Sequence, residues 1–346
     1  MSSDTTGLLA DLLRQVSRSF YKTLRILPGA VRPQISLAYL LARATDTMAD
    51  TSLVPLEQRL ASLRLLRERI RGLHQKPLDF ARLAQQQGSA GERALLERVE
   101  EALAVLDSFE ARDQQLIREV LQTITSGQEL DLRRFTGASV KHIIALNTDA
   151  ELDDYTYRVA GCVGEFWTKI CRAHLFPAAP LDDARLLADG VRFGKGLQLV
   201  NILRDLPADL RQGRCYLPAD RLHGISLKPS DLLQRDAELK FRPLYDSYLD
   251  QAAQHLAAGW SYTNALPRSS IRIRLACAWP ILIGVRTLAR LRTENVLDAS
   301  RRVKIDRAEV RAIFVRSVLF YPFAGQWRRL FNRAASCVAR ADKAVA

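Results

Sequence analysis

The sequence predicts an all-α fold with more than ten helices, and three observations carry that expectation. Leu53, Leu56, Leu60, Leu63, Leu66, Ile70 and Leu73 recur at three- and four-residue steps, which gathers them into one apolar stripe of a helix. Comparable patterns fill 95–106, 112–132, 155–172, 184–206, 244–257 and 307–319. No stretch alternates apolar and polar residues between Asn-Gly or Asp-Gly turns, so hairpins have no support.

Each helical pattern stops at a recognisable break. These are Leu27-Pro28-Gly29, Gln75-Lys76-Pro77, Gln87-Gly88-Ser89, Thr136-Gly137, Phe176-Pro177 and Leu266-Pro267. With 17 glycines and 13 prolines in 346 residues, nothing reads as a flexible linker, and no repeat of fixed period is visible. A single domain over 1–346 is expected, ending in a basic helical segment from about residue 268. Composition is that of an ordinary globular chain, 48% apolar and 26% charged. The cysteines (Cys162, Cys171, Cys215, Cys277 and Cys337) are odd in number and show no metal-ligand spacing, so reduced thiols are expected. MSSDTTGLLADLLRQ has neither the basic start nor the apolar block of a signal peptide, and a cytoplasmic location is expected.

Charge is unevenly placed. From Arg268 onward there are 17 Lys and Arg against 5 Asp and Glu, while the first 267 residues hold 34 against 33. So basic an end suits an anionic partner, such as a membrane surface or a phosphorylated substrate, or it is simply a solubilising face. No zinc-finger or RNA-binding signature accompanies it, so nucleic acid is not the expected partner.

The segment FGKGLQLVNILRDLPADLRQGRCYLP (193–218) puts Asn201, Arg204, Asp205 and Asp209 into an otherwise apolar helical run, with Pro207 between the acids. Either this is a solvated helix face with a bend, or the acids face positive charge. LARATDTMAD (41–50) repeats the spacing with Asp46 and Asp50. Acids four apart share one helix face and repel, and a cation would relieve both pairs. Carboxylates suit magnesium, which bridges one or two of them to substrate phosphates. A single such pair is commonplace on surface helices. Two pairs in apolar helices, each with an adjacent arginine (Arg43, Arg204), are either ordinary surface pairs or, if the fold sets the two helices face to face, a magnesium site for a diphosphate whose departure leaves a carbocation in an apolar pocket.

Four separated motifs resemble the squalene/phytoene synthase family, the head-to-head trans-isoprenyl diphosphate synthases. They are SRSF (17–20), LARATDTMAD, YTYRVAGCVGEFW (155–167) and LQLVNILRDLPADLRQGRCYLP (197–218), in family order. The resemblance implies a single all-α isoprenoid-synthase bundle around a central cavity, most like a bacterial squalene synthase and a monomer. It implies condensation of two farnesyl diphosphates through presqualene diphosphate. Asp46, Asp50, Asp205 and Asp209 become the expected Mg2+ ligands. Ser17, Arg18, Ser19, Phe20, Arg43, Gln198, Asn201 and Arg204 become substrate-binding residues, and Tyr155 and Tyr157 catalytic ones. Each tyrosine is equally readable as a core residue with its hydroxyl satisfied. Phe166 and Trp167 are expected in the core, and Gly161 and Gly164 to permit close helix packing.

The last third of the sequence bears on the fate of the condensation product. IRLACAWPILIGVRTLARL (273–291) keeps Pro280 in an apolar helix, and RRVKID (301–306) resembles a Val-Lys-Ile-Arg sequence of squalene synthases whose basic residues contact NADPH. The resemblance assigns Arg18, Arg43 and Lys304 to that cofactor. Ala49 and Ala208 stand where the eukaryotic enzyme has Glu, Arg158 where it has a tyrosine, and Asp306 where an arginine is expected. Dehydrosqualene or phytoene synthesis, release of presqualene diphosphate, and a non-catalytic membrane-associated assembly factor remain the alternatives. The basic segment 323–343 reads either as a helix lying on anionic lipid at the inner face of a membrane or as an ordinary packed terminal helix.

Overall fold

A computed structural model describes residues 11–16, 20–51, 54–298, 300 and 302–345, with side chains left undescribed at residue 20 and beyond 335. The expectation of an all-α fold holds. More than ten α-helices are present among the described residues, and the strand content there is a two-residue parallel pairing of β1 (Ile144–Ala145) with β2 (Arg214–Cys215). Every break read from the sequence falls outside a helix.

Contacts group the chain into two compact units, residues 1–136 with 166–179, and residues 137–165 with 180–346. In the first, α1 (Arg32–Asp50), α2 (Leu56–Ile70), α3 (Val99–Asp107) and α4 (Ala111–Arg134) pack together. α1 opens with a proline in its first turn, where the missing N–H has no helical partner to lose. Leu37, Leu40, Leu41, Ala44 and Met48 of α1 are wholly or almost wholly buried, as are Ile117 and Leu121 of α4 and Leu63 and Leu66 of α2. One buried polar cluster ties this core together. The Asp113 carboxylate, 4% exposed, accepts from Gln34 Nε2 at 2.9 Å and meets His174 Nε2 at 2.8 Å.

In the second unit α5 (Asp149–Thr156) runs through a π-helical turn, Tyr157–Gly161, into the start of α6 (Cys162–His174). It is followed by α7 (Asp183–Arg211), α8 (Glu238–Ala265), α9 (Ile271–Thr293), α10 (Arg307–Phe320) and α11 (Ala324–Val345). α7 is central, packing against α8, α9 and the π turn. Its approach to the π turn and the start of α6 is backbone on backbone. A Cβ on Gly164 would sit 1.9 Å from the Gly190 carbonyl oxygen, and one on Gly194 only 2.1 Å from that of Ala160. Elsewhere on α7, a Cβ on Gly259 of α8 would meet the Phe193 ring at 2.8 Å. The packing role expected for Gly164 is therefore required by space. Phe166 is buried as expected, while Trp167 is only half-buried.

Cys162, Cys171, Cys215 and Cys277 are buried and form no disulfide. Burial pushes the thiols of Cys162 and Cys215 up to about 12. They are packing residues held as thiols.

Gly164→Ala should destabilise the protein by about 3 kcal/mol, lowering Tm by roughly 5 °C. Gly224→Ala, where a Cβ meets nothing within 4 Å, should leave Tm within about 1 °C. Thermal melts of the two variants side by side check this, and equal melts would mean that α7 does not depend on the close approach.

Candidate active site

The two acidic pairs lie in different units, and each has its own electrostatic setting. Asp46 and Asp50 occupy the last turn and a half of α1. Arg43, one turn earlier, donates from Nη1 to Asp46 Oδ2 at 2.5 Å and from Nη2 to Glu92. Burial among neighbouring groups, then the Asp50 carboxylate, pushes the Asp46 carboxyl up to about 6, against the opposing pull of Arg43. Its side chain is nonetheless 43% accessible. Ala49 faces the other way, packed among Leu60, Leu63 and Leu132. A Glu at this position would put a carboxylate into that cluster, which accounts for the absence of a third acid here.

Asp205 and Asp209 sit in the last two turns of α7, and the helix passes through Pro207 without interruption. A proline inside a helix removes the N–H that would bond the carbonyl four residues earlier, here that of Leu203. The Tyr245 hydroxyl of α8 donates to the Leu203 carbonyl oxygen at 3.0 Å. Tyr245 is completely buried, and burial holds its phenol well above the usual tyrosine value, so it remains a donor. One side chain thus supplies the bond that Pro207 deletes, and α7 stays continuous between its two acids. The helix ends at Gly213, whose left-handed backbone (φ 82°) hands the chain to β2.

Asp205 of the second pair faces two arginines. Arg204 forks onto Asp205, Nε to Oδ1 at 3.0 Å and Nη2 to Oδ2 at 2.5 Å. Arg302, 97 residues further along, donates from Nη2 to Oδ1 at 3.0 Å. Burial alone would raise the Asp205 carboxyl, but the two guanidinium groups hold it below the ordinary carboxylate range. Sequence reasoning misses Arg302; a lone arginine in a basic segment carries no signal of a partner so distant. Ala208 is exposed, unlike Ala49. Gln198 is half-buried and Asn201 exposed on α7.

Of the tyrosines of the third motif, Tyr155 lies near the end of α5 and Tyr157 opens the π turn. Tyr155 stacks on Tyr216 with ring centroids 4.7 Å apart. Tyr157 donates to Glu165 Oε2 at 3.3 Å, and Lys195, itself paired with Asp153 at 2.7 Å, lies 5.8 Å from its ring centre. Desolvation and then Glu165 raise the Tyr157 phenol. Arg158 is held by Asp154 of α5 at 2.8 Å. Ser17, Arg18 and Ser19 lie outside the described residues, as does the Phe20 side chain. Val303 is buried, with Arg302 and Lys304 exposed on either side of it. The segment is pinned by Arg290, which donates to the Lys304 carbonyl and pairs with Glu309 at 2.8 Å. Asp306 caps α10, accepting from the Glu309 N–H at 2.7 Å, so the residue found in place of an expected arginine has a structural task.

Tyr245→Phe should cost about 1–3 kcal/mol by orphaning the Leu203 carbonyl. In a Pro207→Ala background, where an N–H is restored, the same change should cost less, and a double-mutant cycle by denaturant unfolding measures the difference. Equal costs in the two backgrounds would sever the link. For Asp46, a carboxyl raised from 3.8 to about 6 on folding loses its proton first in the unfolded chain. Stability therefore falls as pH rises from about 4 to about 6, and the deficit is complete above that. The cation-free Asp46→Asn protein should out-melt the parent at pH 7.5 by more than at pH 5; a lower Tm at pH 7.5 would reverse the assignment.

Comparison with known proteins identifies the family. The squalene/phytoene synthase family model matches residues 13–309. Presqualene diphosphate synthase of Rhodopseudomonas palustris is 30% identical over 254 residues, covering 73% of this chain and 77% of that one. Bovine squalene synthase is 27% identical, covering 80% of this chain and 61% of that one. The chain spans 42% of the bifunctional lycopene cyclase/phytoene synthase of Gibberella fujikuroi, at 29% identity. Among solved structures, TcSQS with a bound ligand superposes with a TM-score of 0.76 at 21% identity, covering 98% of this chain and 100% of that one. Squalene synthase HpnC from Alicyclobacillus acidocaldarius gives 0.61 at 21% identity, over 85% of this chain and 97% of that one. The chain belongs to the squalene/phytoene synthase family, whose members are head-to-head isoprenyl transferases.

Proposed function

We propose that this chain joins two farnesyl diphosphates head to head through presqualene diphosphate and reduces that intermediate to squalene with NADPH. The contact of Arg302 with Asp205 carries the reading. It fastens the RRVKID segment, whose lysine is the expected NADPH contact, to the acidic helix expected to hold the diphosphate. Pro280 within the unbroken helix α9 is a second point of agreement.

Asp46, Asp50, Asp205 and Asp209 are the residues that would hold magnesium. Among the described residues no cluster of three or more His, Cys, Asp or Glu could hold a metal ion by itself. Paired carboxylates fit a cation that takes its remaining ligands from water and a diphosphate, and one would offset the burial and the Asp50 charge that together raise Asp46. Magnesium held by these carboxylates would supply positive charge against a departing diphosphate. Arg43 and Arg204 orient their neighbouring carboxylates, with Gln198 and Asn201 as polar contacts for the substrate. Arg18 of the SRSF motif and Arg43 join Lys304 as cofactor contacts in this proposal. Tyr157, kept protonated beside Glu165, holds a proton at its hydroxyl, and Tyr155 lies against Tyr216.

A second reading, release of presqualene diphosphate without reduction, is favoured by Asp306, whose carboxylate is spent on capping α10 where an arginine would serve a nucleotide. Purified protein with farnesyl diphosphate and magnesium, with and without NADPH, separates the two by mass spectrometry of the products. Squalene only with NADPH supports the first; presqualene diphosphate under both conditions supports the second; dehydrosqualene under both overturns each. If squalene forms, Arg302→Gln should raise the share of presqualene diphosphate several-fold, on the order of 1 kcal/mol of lost positioning.

A further inference from the structure

α10 presents its apolar residues to solvent. Val315 and Val318 are each 51% exposed, Leu319 60%, and Phe323, just past the helix end, 62%. The opposite face of the same helix packs against α9. Phe314 lies 4.4 Å from the Trp279 ring, and Ser317 accepts from Trp279 Nε1 at 2.8 Å. The exposed residues are therefore an additional apolar face, left over after the helix has packed. The Tyr321 hydroxyl donates to the Arg268 carbonyl at 2.6 Å, and Arg268 in turn bonds the Pro322 carbonyl. These bonds bring the start of α9, with Ile271 46% exposed, to the same turn.

Past Glu309, the charged residues of α10 and of the first half of α11 are all arginines. Arg311, Arg316, Arg328 and Arg329 are exposed, as are Arg268 and Arg272 at the start of α9. Between Glu309 and Asp342 the sequence has no acidic residue. The first half of α11 is packed and does not compete for the role. Trp327 is 3% exposed, stacks on Trp260 at 5.1 Å and donates to Asn264 at 2.8 Å, while Phe331 stacks on Trp260 at 5.5 Å. Of the two alternatives expected for the C-terminal segment, this half takes the packed one.

We propose that the outer face of α10, with the 321–323 turn, docks on an anionic lipid surface. Apolar side chains flanked by arginines match a bilayer boundary, where the first enter the acyl region and the second meet phosphate headgroups. A second copy of the chain fits less well. A two-fold contact presses a patch against itself, here arginine against arginine, and the cores of such interfaces are depleted of charge. Nucleic acid would leave Val315, Leu319 and Phe323 without a counterpart. The site chemistry plays no part in this inference.

The test uses the full-length chain without substrate, so its outcome is separate from the reading of the active site. Flotation is measured with phosphatidylcholine vesicles and with vesicles containing roughly one-third phosphatidylglycerol. Binding should favour the anionic vesicles by about tenfold and weaken with added salt. Val315→Ser with Leu319→Ser should cut that binding by on the order of tenfold. Arg311→Gln with Arg316→Gln should abolish most of the preference for anionic lipid. Circular dichroism and Tm identify a misfolded variant, and Phe323→Ser alone then replaces it. Equal binding to both vesicle types, or unchanged binding by the folded variants, overturns the proposal. So does a dimer in sedimentation that the Val315 and Leu319 changes convert to monomer.

Discussion

The hydrogen bond from Tyr245 to the Leu203 carbonyl is the constraint on which the second acidic helix depends. Pro207 by itself would leave a buried acceptor unsatisfied and invite a kink between Asp205 and Asp209. Because a fully buried phenol from α8 replaces the missing donor, α7 continues for another turn and keeps the acids at helical spacing. The glycine contacts act on the same helix from its other sides. They let α7 approach the π turn and α6 so closely that its position is set by backbone atoms, which are less adaptable than side chains.

Much of this is readable from residue order. The apolar stripes place the long helices, the Pro and Gly clusters place the breaks, and the four motifs give the family. What the sequence hides is whatever depends on packing across long separations. Arg302 cannot be matched to Asp205, because no local pattern connects them. The π turn at Tyr157–Gly161 has the same composition as α-helix, and one extra residue in a turn leaves no periodic trace over so short a span. Pro207 reads as a possible bend, since the compensating donor lies on another helix. The exposed face of α10 is also hidden: its apolar residues follow helical periodicity as core residues do, and only the packing of the inner face shows that they are surplus.

The two acidic pairs share a spacing but not an electrostatic state. Asp46 is crowded by its environment and by Asp50, with one arginine divided between it and Glu92. Asp205 is held by two guanidinium groups. Asp46 is raised by its surroundings and Asp205 lowered by its arginines, so equal motifs do not imply equal affinity for a cation. The difference traces to neighbours, chiefly Arg302, which the DxxxD pattern does not contain.

Residues 166–179 belong to the first compact unit although the chain on both sides of them belongs to the second. No single cut in the polypeptide therefore yields two whole pieces: a fragment ending near 136 lacks the His174 that completes the Asp113 cluster, and one starting there carries residues 166–179 away from their partners. The chain is a poor substrate for modular exchange. Gene fusion or recombination can add to its ends, but dividing it in the middle disrupts both halves, which binds the two acidic motifs to a common inheritance.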